Sequence, residues 1–223
     1  MAGSGKNFLS LLDDEKVSIF CAYDKDYSGF KGKICSENLF SHLGFEGIEK
    51  CVFMEQFHSN LVEIYSENSM LFKCDGLMSD KKGIALCVLS ADCLPLILYH
   101  KNGFIAALHS GRKGSFENIL KKCCDKFDKK LDLSEMKLFI LPAISFENYE
   151  IGGEILDFTR LNFKDFLVGN KLDLKALVKF QAKNLGIKDV EDSEICTFKD
   201  DRFFSYRKDK TQKRFVSVVY LKA

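Results

Sequence analysis

His58, Cys93 and His109 are the residues of this chain whose types and setting point to chemistry. His58 lies in Gln56-Phe57-His58-Ser59. Cys93 lies in Ser90-Ala91-Asp92-Cys93-Leu94-Pro95, between the apolar runs 84–89 and 96–99. His109 closes Ala106-Ala107-Leu108 and leads into Ser110-Gly111. Two imidazoles and one thiolate form the ligand set of an open, catalytic zinc site. Cys93 and His109 each sit at the edge of a strand-like run, where a rigid sheet can hold a reactive group in position. The long spacings assign the ligands to separate elements, which suits a catalytic site rather than a zinc finger. Spacing alone leaves rivals open. A lone His at a strand end is ordinarily a hydrogen-bonded structural residue. Cys93 as nucleophile with His109 as base would make a cysteine hydrolase or deamidase. A third reading is a non-enzymatic interaction domain that zinc only stabilises. Metal separates the first two, because a zinc-bound thiolate is not a free nucleophile.

Short strands and a few helices must position these groups. Residues 17–22, 51–57, 84–89, 96–99, 104–108, 137–141 and 216–221 read as strands, the nearly continuous apolar runs as buried ones. Residues 24–32 read as a polar loop. Pro95 suits a strand start. Lys101-Asn102-Gly103 predicts a hairpin turn that brings Cys93 beside His109. Phe116, Ile119, Leu120, Cys123, Cys124 and Phe127 follow helical spacing, predicting a helix over 115–130 with Ser115 as N-cap. Helices are also predicted over 153–167 and over 173–185, the latter capped by Asp173 and stopped by Gly186. The pattern predicts one domain, residues 1–223, built as an α/β or α+β layered sandwich.

Composition narrows the function classes. Charged residues make up 29% and the formal charge is +1, so no electrostatic field points to nucleic acid or membrane. No apolar run approaches the ~20 residues that span a bilayer. No signal peptide is visible, so the nine cysteines read as cytoplasmic thiols rather than a disulfide framework. Adjacent Cys123 and Cys124 read as small core residues. Gly5-Lys6 lacks the glycine spacing and following Ser/Thr of a phosphate loop. With 21 Phe and no Trp, the core is expected to be Phe-rich. Oligomeric state has no signature in the chain.

Five strings in order resemble the YfiH-like family, whose members are often labelled laccase-domain or polyphenol oxidase proteins. They are Tyr27-Ser28-Gly29 through Glu37-Asn38-Leu39; Ala91-Asp92-Cys93-Leu94-Pro95 with His109-Ser110-Gly111; Pro142-Ala143-Ile144 with Tyr149-Glu150-Ile151-Gly152; Ile195-Cys196-Thr197; and Phe203-Phe204-Ser205-Tyr206-Arg207. The resemblance implies a mixed-sheet fold related to bacterial deamidating toxins (cytotoxic necrotizing factor-like). It implies a zinc-dependent purine nucleoside phosphorylase, with adenosine deaminase and methylthioadenosine phosphorylase as added activities. Purine nucleosides and inorganic phosphate would be its substrates. His58, Cys93 and His109 match the family's metal residues, with one zinc per chain. Four His cannot build a multicopper oxidase, which needs roughly ten by the preference of copper for imidazole, so copper would be adventitious.

The substrate residues follow from the same resemblance. Deamination needs a carboxyl proton shuttle, with Asp75 and Asp92 as candidates; Asp92 is equally a ligand-orienting or turn-forming residue. Asn38 and Asp75 match family positions near the pocket, as substrate contacts or turn formers. Arg112 and Lys113, with backbone donors at the start of the Ser115 helix, are the expected phosphate site. Here the chain departs from the family: His-Ala-Gly-Trp-Arg-Gly is replaced by His109-Ser110-Gly111-Arg112-Lys113-Gly114. An aromatic is lost and an Arg becomes Lys113, and these cations do not bind phosphate equivalently.

Overall fold

The structure is a computed structural model that describes residues 7–127 and 131–222. Gly5-Lys6 and the end of the predicted 115–130 helix lie outside the described residues. In chain order the strands are β1 (Phe8–Asp13), β2 (Val17–Ala22), β3 (Ile34–Cys35), β4 (Lys50–Phe53), β5 (Val62–Ile64), β6 (Gly76–Ser79), β7 (Ile84–Ser90), β8 (Leu94–His100), β9 (Phe104–Ser110), β10 (Met136–Ile140), the small hairpin β11 (Leu167–Val168) and β12 (Lys171–Leu172), β13 (Asp189–Asp192) and β14 (Phe215–Leu221). The α-helices are α1 (Arg112–Phe116), α2 (Ile119–Cys124), α3 (Gly153–Asn162), α4 (Leu174–Asn184) and α5 (Tyr206–Asp209).

Two six-stranded mixed sheets carry the fold, ordered β1-β2-β14-β7-β4-β3 and β13-β10-β8-β9-β6-β5. The parallel neighbours are β4 with β7, β5 with β6, and β10 with β13. Side-chain alternation explains the layers. Ile84, Leu86 and Val88 of β7 pack in one cluster with Ile97, Ile105 and Ala107 of the second sheet. The intervening Ala85, Cys87 and Leu89 face a Phe-rich cluster with Phe20, Phe40, Phe45 and Phe53. Leu94, Leu96 and Leu98 face the other way, onto Leu120 of α2 and Leu177 of α4. Each central strand is therefore covered on both faces, so β7, β8 and β14 are buried at every position and read as apolar runs. The expected layered α+β architecture with mixed sheets is the one found.

Several boundaries differ from expectation. The predicted 51–57 strand ends at Phe53, leaving His58 in an irregular segment. The predicted 115–130 helix is two helices, because Asn118 adopts a left-handed backbone (φ 54°) and its side chain caps α2 by accepting the Lys121 N–H. Apolar spacing crosses that break without a phase change, so periodicity does not reveal it. Ser115 is not an N-cap. It is buried inside α1, which Gly111 opens, and its hydroxyl meets Ser110 Oγ at 2.8 Å. The 153–167 helix ends at Asn162. Asp173 caps α4 by accepting the Ala176 N–H, and Gly186 (φ 85°) ends it, as the sequence predicts.

Candidate metal centre

His109 stands at the end of β9, where β8 and β9 pair Pro95 with His109. That register brings Cys93, one residue before β8, against His109, as the hairpin pattern predicts. On the other side of β9, β6 pairs Gly76 with Leu108, which sets Asp75 beside His109. The His109 N–H donates to the Asp75 carbonyl at 2.7 Å. Gly76 allows this close pairing, since a Cβ there would lie 2.8 Å from both Leu108 Cδ2 and Val62 Cγ2.

The buried Asp75 carboxylate organises the centre. His109 Nδ1 lies 2.8 Å from Asp75 Oδ1. An ionised carboxylate only accepts, so Nδ1 carries a proton and Nε2 is the ring atom left to bind a metal. The same carboxylate accepts the N–H groups of Phe57 (3.2 Å), His58 (3.1 Å) and Ser59 (2.7 Å), and the Ser59 hydroxyl (2.7 Å). These bonds wrap residues 57–59 around Asp75 and hold His58 in a left-handed conformation (φ 62°) that an L-residue rarely adopts. Cys93 comes from the β7–β8 turn. There Asp92 also has positive φ (93°), and Ser90 Oγ donates to the Cys93 carbonyl at 2.5 Å.

The three side chains converge. Cys93 Sγ lies 3.9 Å from His58 Nε2. The His58 and His109 rings are edge-to-face with centroids 4.9 Å apart. One ligand atom from each residue lies within 4.8 Å of the others. Tetrahedral zinc holds His nitrogens and a Cys sulfur about 3.3–3.6 Å apart, within a small side-chain rotation of this arrangement. The donor chemistry fits too. A ligating His ordinarily gives its other N–H to a carboxylate, as His109 does to Asp75. Gly111 closes the floor: a Cβ there would lie 3.0 Å from Cys93 Sγ and 3.2 Å from His58 Cδ2.

Charges in the centre reinforce one another. Burial opposes the Cys93 thiolate, but the charge and hydrogen bond of His109, with those of His58, outweigh it and bring the thiol down to about 6. Burial opposes the His109 imidazolium, but the Cys93 thiolate and the Asp75 hydrogen bond push it up to about 9. Burial opposes the Asp75 carboxylate, and bonding to His109 and Ser59 lowers it to about 2.

The trio opens onto a cavity of about 890 Å³ lined also by Gln56, Tyr149, Glu150, Tyr206, Arg207 and Lys210. Several nominated residues stand elsewhere. Asn38 is not on the cavity wall. Its amide bonds the Phe45 carbonyl and the Phe40 N–H, which is the turn-forming role. Arg112 and Lys113 also stand off the wall, and Lys113 Nζ lies 4.0 Å from Glu117 on its own helix face. Asp75 has no free lone-pair direction for a shuttled proton. Asp92 is engaged as well, accepting from Thr197 Oγ1 (2.7 Å) and the Arg207 N–H (2.6 Å). The remaining histidines are apart: His42 meets Asp24 at 2.9 Å, and His100 accepts the Asn102 N–H in the β8–β9 turn. Among the described residues, this trio is the one cluster of potential metal ligands.

A family model described as multi-copper polyphenol oxidoreductase laccase matches residues 34–222. The chain belongs to this laccase-domain, YfiH-like family. A Campylobacter jejuni protein named purine nucleoside phosphorylase is 66% identical over 225 residues, covering 100% of both chains. A Clostridium acetobutylicum protein of the same name is 31% identical over 230 residues, 97% of this chain and 96% of its own. A Bacillus licheniformis YfiH structure superposes with a TM-score of 0.84 at 20% identity, covering 98% of each chain. A Neisseria meningitidis structure gives 0.78 at 21%, covering 98% of this chain and 100% of its own, so the YfiH-like fold is shared. Sequence reasoning quoted Tyr149, Tyr206 and Arg207 as family strings without assigning them chemistry, and did not single out Gln56 or Lys210. The YfiH-like strings were the available signal for the first three, since they recur at the cavity.

Proposed function

We propose that the protein is a zinc-dependent purine nucleoside phosphorylase, with His58, Cys93 and His109 as zinc ligands and Asp75 as the positioning residue. The supporting observation is the Asp75-organised trio opening on a cavity of nucleoside size, in a chain 66% identical to a protein of that name. A phosphate oxygen attacks C1′ of the ribose and the C1′–N9 bond breaks. The bonding pair leaves with the purine, which takes up the proton that hydrogen phosphate gives up; the products are free base and ribose 1-phosphate. Zinc held by the trio supplies Lewis acidity, which stabilises negative charge as it develops. The chain's own part is to orient His109 through Asp75, to fix His58 through the residue 57–59 amides, and to enclose the nucleoside. Four His, two of them away from the centre, cannot carry multicopper chemistry.

Adenosine deamination is included as a second activity, in which water adds at C6 and ammonia leaves. Asp75, whose carboxylate accepts five hydrogen bonds, is too fully bonded to shuttle its protons, while Asp92 keeps acceptor capacity on the cavity wall. Asp92 and Glu150, both on the cavity wall, are the carboxylates that support it. Methylthioadenosine is included among the nucleosides.

One observation favours a rival. Cys93, His109 and Asp75 also make a thiol–imidazole–carboxylate line suited to a cysteine hydrolase. His58 has no task in that reading, yet it completes a zinc ligand set. The deciding experiment is metal analysis of freshly purified protein with adenosine, inosine, guanosine and methylthioadenosine assayed with and without phosphate. One zinc per chain and phosphate-dependent base release are expected. Base release equal without phosphate would mean hydrolysis. Metal-free protein whose Cys93 alkylates readily and cleaves an amide, with no nucleoside turnover, would establish the rival.

A further inference from the structure

Phosphorolysis needs an anion held beside the nucleoside; Lys113 pairs with Glu117, and Arg112, whose charge reaches Tyr149, is not among the residues lining the cavity. Besides the metal trio, the cavity lining includes Lys31 and the segment carrying Arg207, Lys210 and Arg214. Four cations there face two wall carboxylates, Asp92 and Glu150, and both oxygens of Asp92 are already engaged. Some cations elsewhere have a carboxylate partner: Lys101 with Glu135, Lys121 with Asp125, Lys175 and Lys179 with Asp192, Lys208 with Asp201. Among the described residues, none of the four cavity cations has such a partner. A concave wall of unpaired cations is a receptor for an anion.

Arg207 is the fixed member. Its backbone N–H donates to Asp92 Oδ2 at 2.6 Å, Nη1 donates to the Glu150 carbonyl at 2.8 Å, and the guanidinium lies over the Tyr149 ring at 5.1 Å. Nε and Nη2 remain for a bidentate bond to an oxyanion. Asp92 is bonded in sequence to Cys93, so one carboxylate ties the position of Arg207 to that of a metal-site residue.

We propose that this wall is the inorganic phosphate subsite, with Arg207 as its anchor and Lys31, Lys210 and Arg214 supplying the surrounding positive charge. The proposal rests on the phosphorylase reading for its catalytic meaning, while phosphate binding can be measured without turnover. The same tetrahedral anion could arrive as the phosphoryl group of a nucleotide, so AMP is the second probe.

The experiment titrates zinc-loaded full-length protein with inorganic phosphate and with AMP by calorimetry, and measures the phosphate and inosine KM values. Arg207→Gln is expected to weaken phosphate about tenfold, the loss of one charge-assisted bidentate contact. Because Arg207 also holds the Glu150 carbonyl, the surface pair Lys210→Gln with Arg214→Gln is the second variant. It should weaken phosphate about threefold and leave the inosine KM within about twofold. Phosphate affinity unchanged in both variants, or lowered by Arg112→Gln with Lys113→Gln instead, overturns the subsite. Tight AMP binding that depends on Arg207, without measurable inorganic phosphate binding, overturns the choice of inorganic phosphate. Turnover with a phosphate KM insensitive to both variants sinks the subsite alone. Arg207-dependent phosphate binding without nucleoside turnover upholds the subsite and sinks the phosphorylase reading.

Discussion

His109 on the cavity lining and Asp75 behind it are buried and joined by a 2.8 Å hydrogen bond; Lys31 and Lys210, on the same lining, are exposed on loops. The contrast follows from the forces each pair must exert. Metal coordination requires donor positions correct to about 0.5 Å, which only packed sheet ends and a saturated carboxylate supply. Attraction of an anion to several cations falls off slowly with distance, so exposed lysines on a rim suffice, with one arginine held by hydrogen bonds for direction. A buried frame holds geometry, and a solvated rim holds charge.

Substitutions can break or sharpen that contrast. The largest effect is expected from the ligands. His58→Ala, Cys93→Ala and His109→Ala should each lower zinc occupancy, and the triple variant should retain none after dialysis, as read by metal analysis. Stoichiometric zinc in the triple variant would remove the frame's assigned purpose.

Asp75→Asn comes next. It replaces a carboxylate accepting five hydrogen bonds, so a loss of about 3 kcal/mol in denaturant unfolding is expected, with a ten- to hundredfold fall in zinc affinity. The acid limb checks the same group. Its folded value, about 2, lies below the ordinary 3.8, so its stabilisation is fully present above pH 3.8 and is lost as pH falls through 2. That contribution is about 2 kcal/mol. Denaturation curves across the acid range should show it in the native chain and not in the variant. Identical acid limbs would mean that Asp75 is not the organiser.

Gly111→Ala should have an intermediate effect. Its methyl group would meet Cys93 Sγ at 3.0 Å, costing about 1–2 kcal/mol and weakening zinc several-fold. Unchanged zinc affinity would show a more yielding frame than the packing implies. The smallest effect belongs to Arg112→Gln with Lys113→Gln. Lys113 is exposed and faces Glu117, so stability should move by less than about 0.5 kcal/mol and the phosphate KM should stay within twofold.

Much of the frame was legible because it repeats a local rule. Nearly continuous apolar runs marked β2, β7, β9 and β14, and the Asp173 and Gly186 signals bounded α4. The short strands β5 and β6 escaped, since three or four residues carry no usable period. The Asn118 break escaped because a left-handed residue leaves apolar spacing intact. In the centre, the trio was visible as residue types, and the hairpin turn placed Cys93 near His109. The part played by Asp75 was not, because its five donors come from residues 57–59 and 109, and nothing local to Asp75 announces them.

The sequence by itself determined the donor set, the family strings and the strands whose burial on both faces demands apolar runs. Only the tertiary structure brings the His58 side chain beside Cys93 and His109, surrounds the Asp75 carboxylate with five donors, and puts Arg207, Lys210, Arg214 and Lys31 on the cavity lining. The physical reason is that ligand identity is a property of single residues. Convergence and charge pairing are properties of register and packing between segments far apart in the chain.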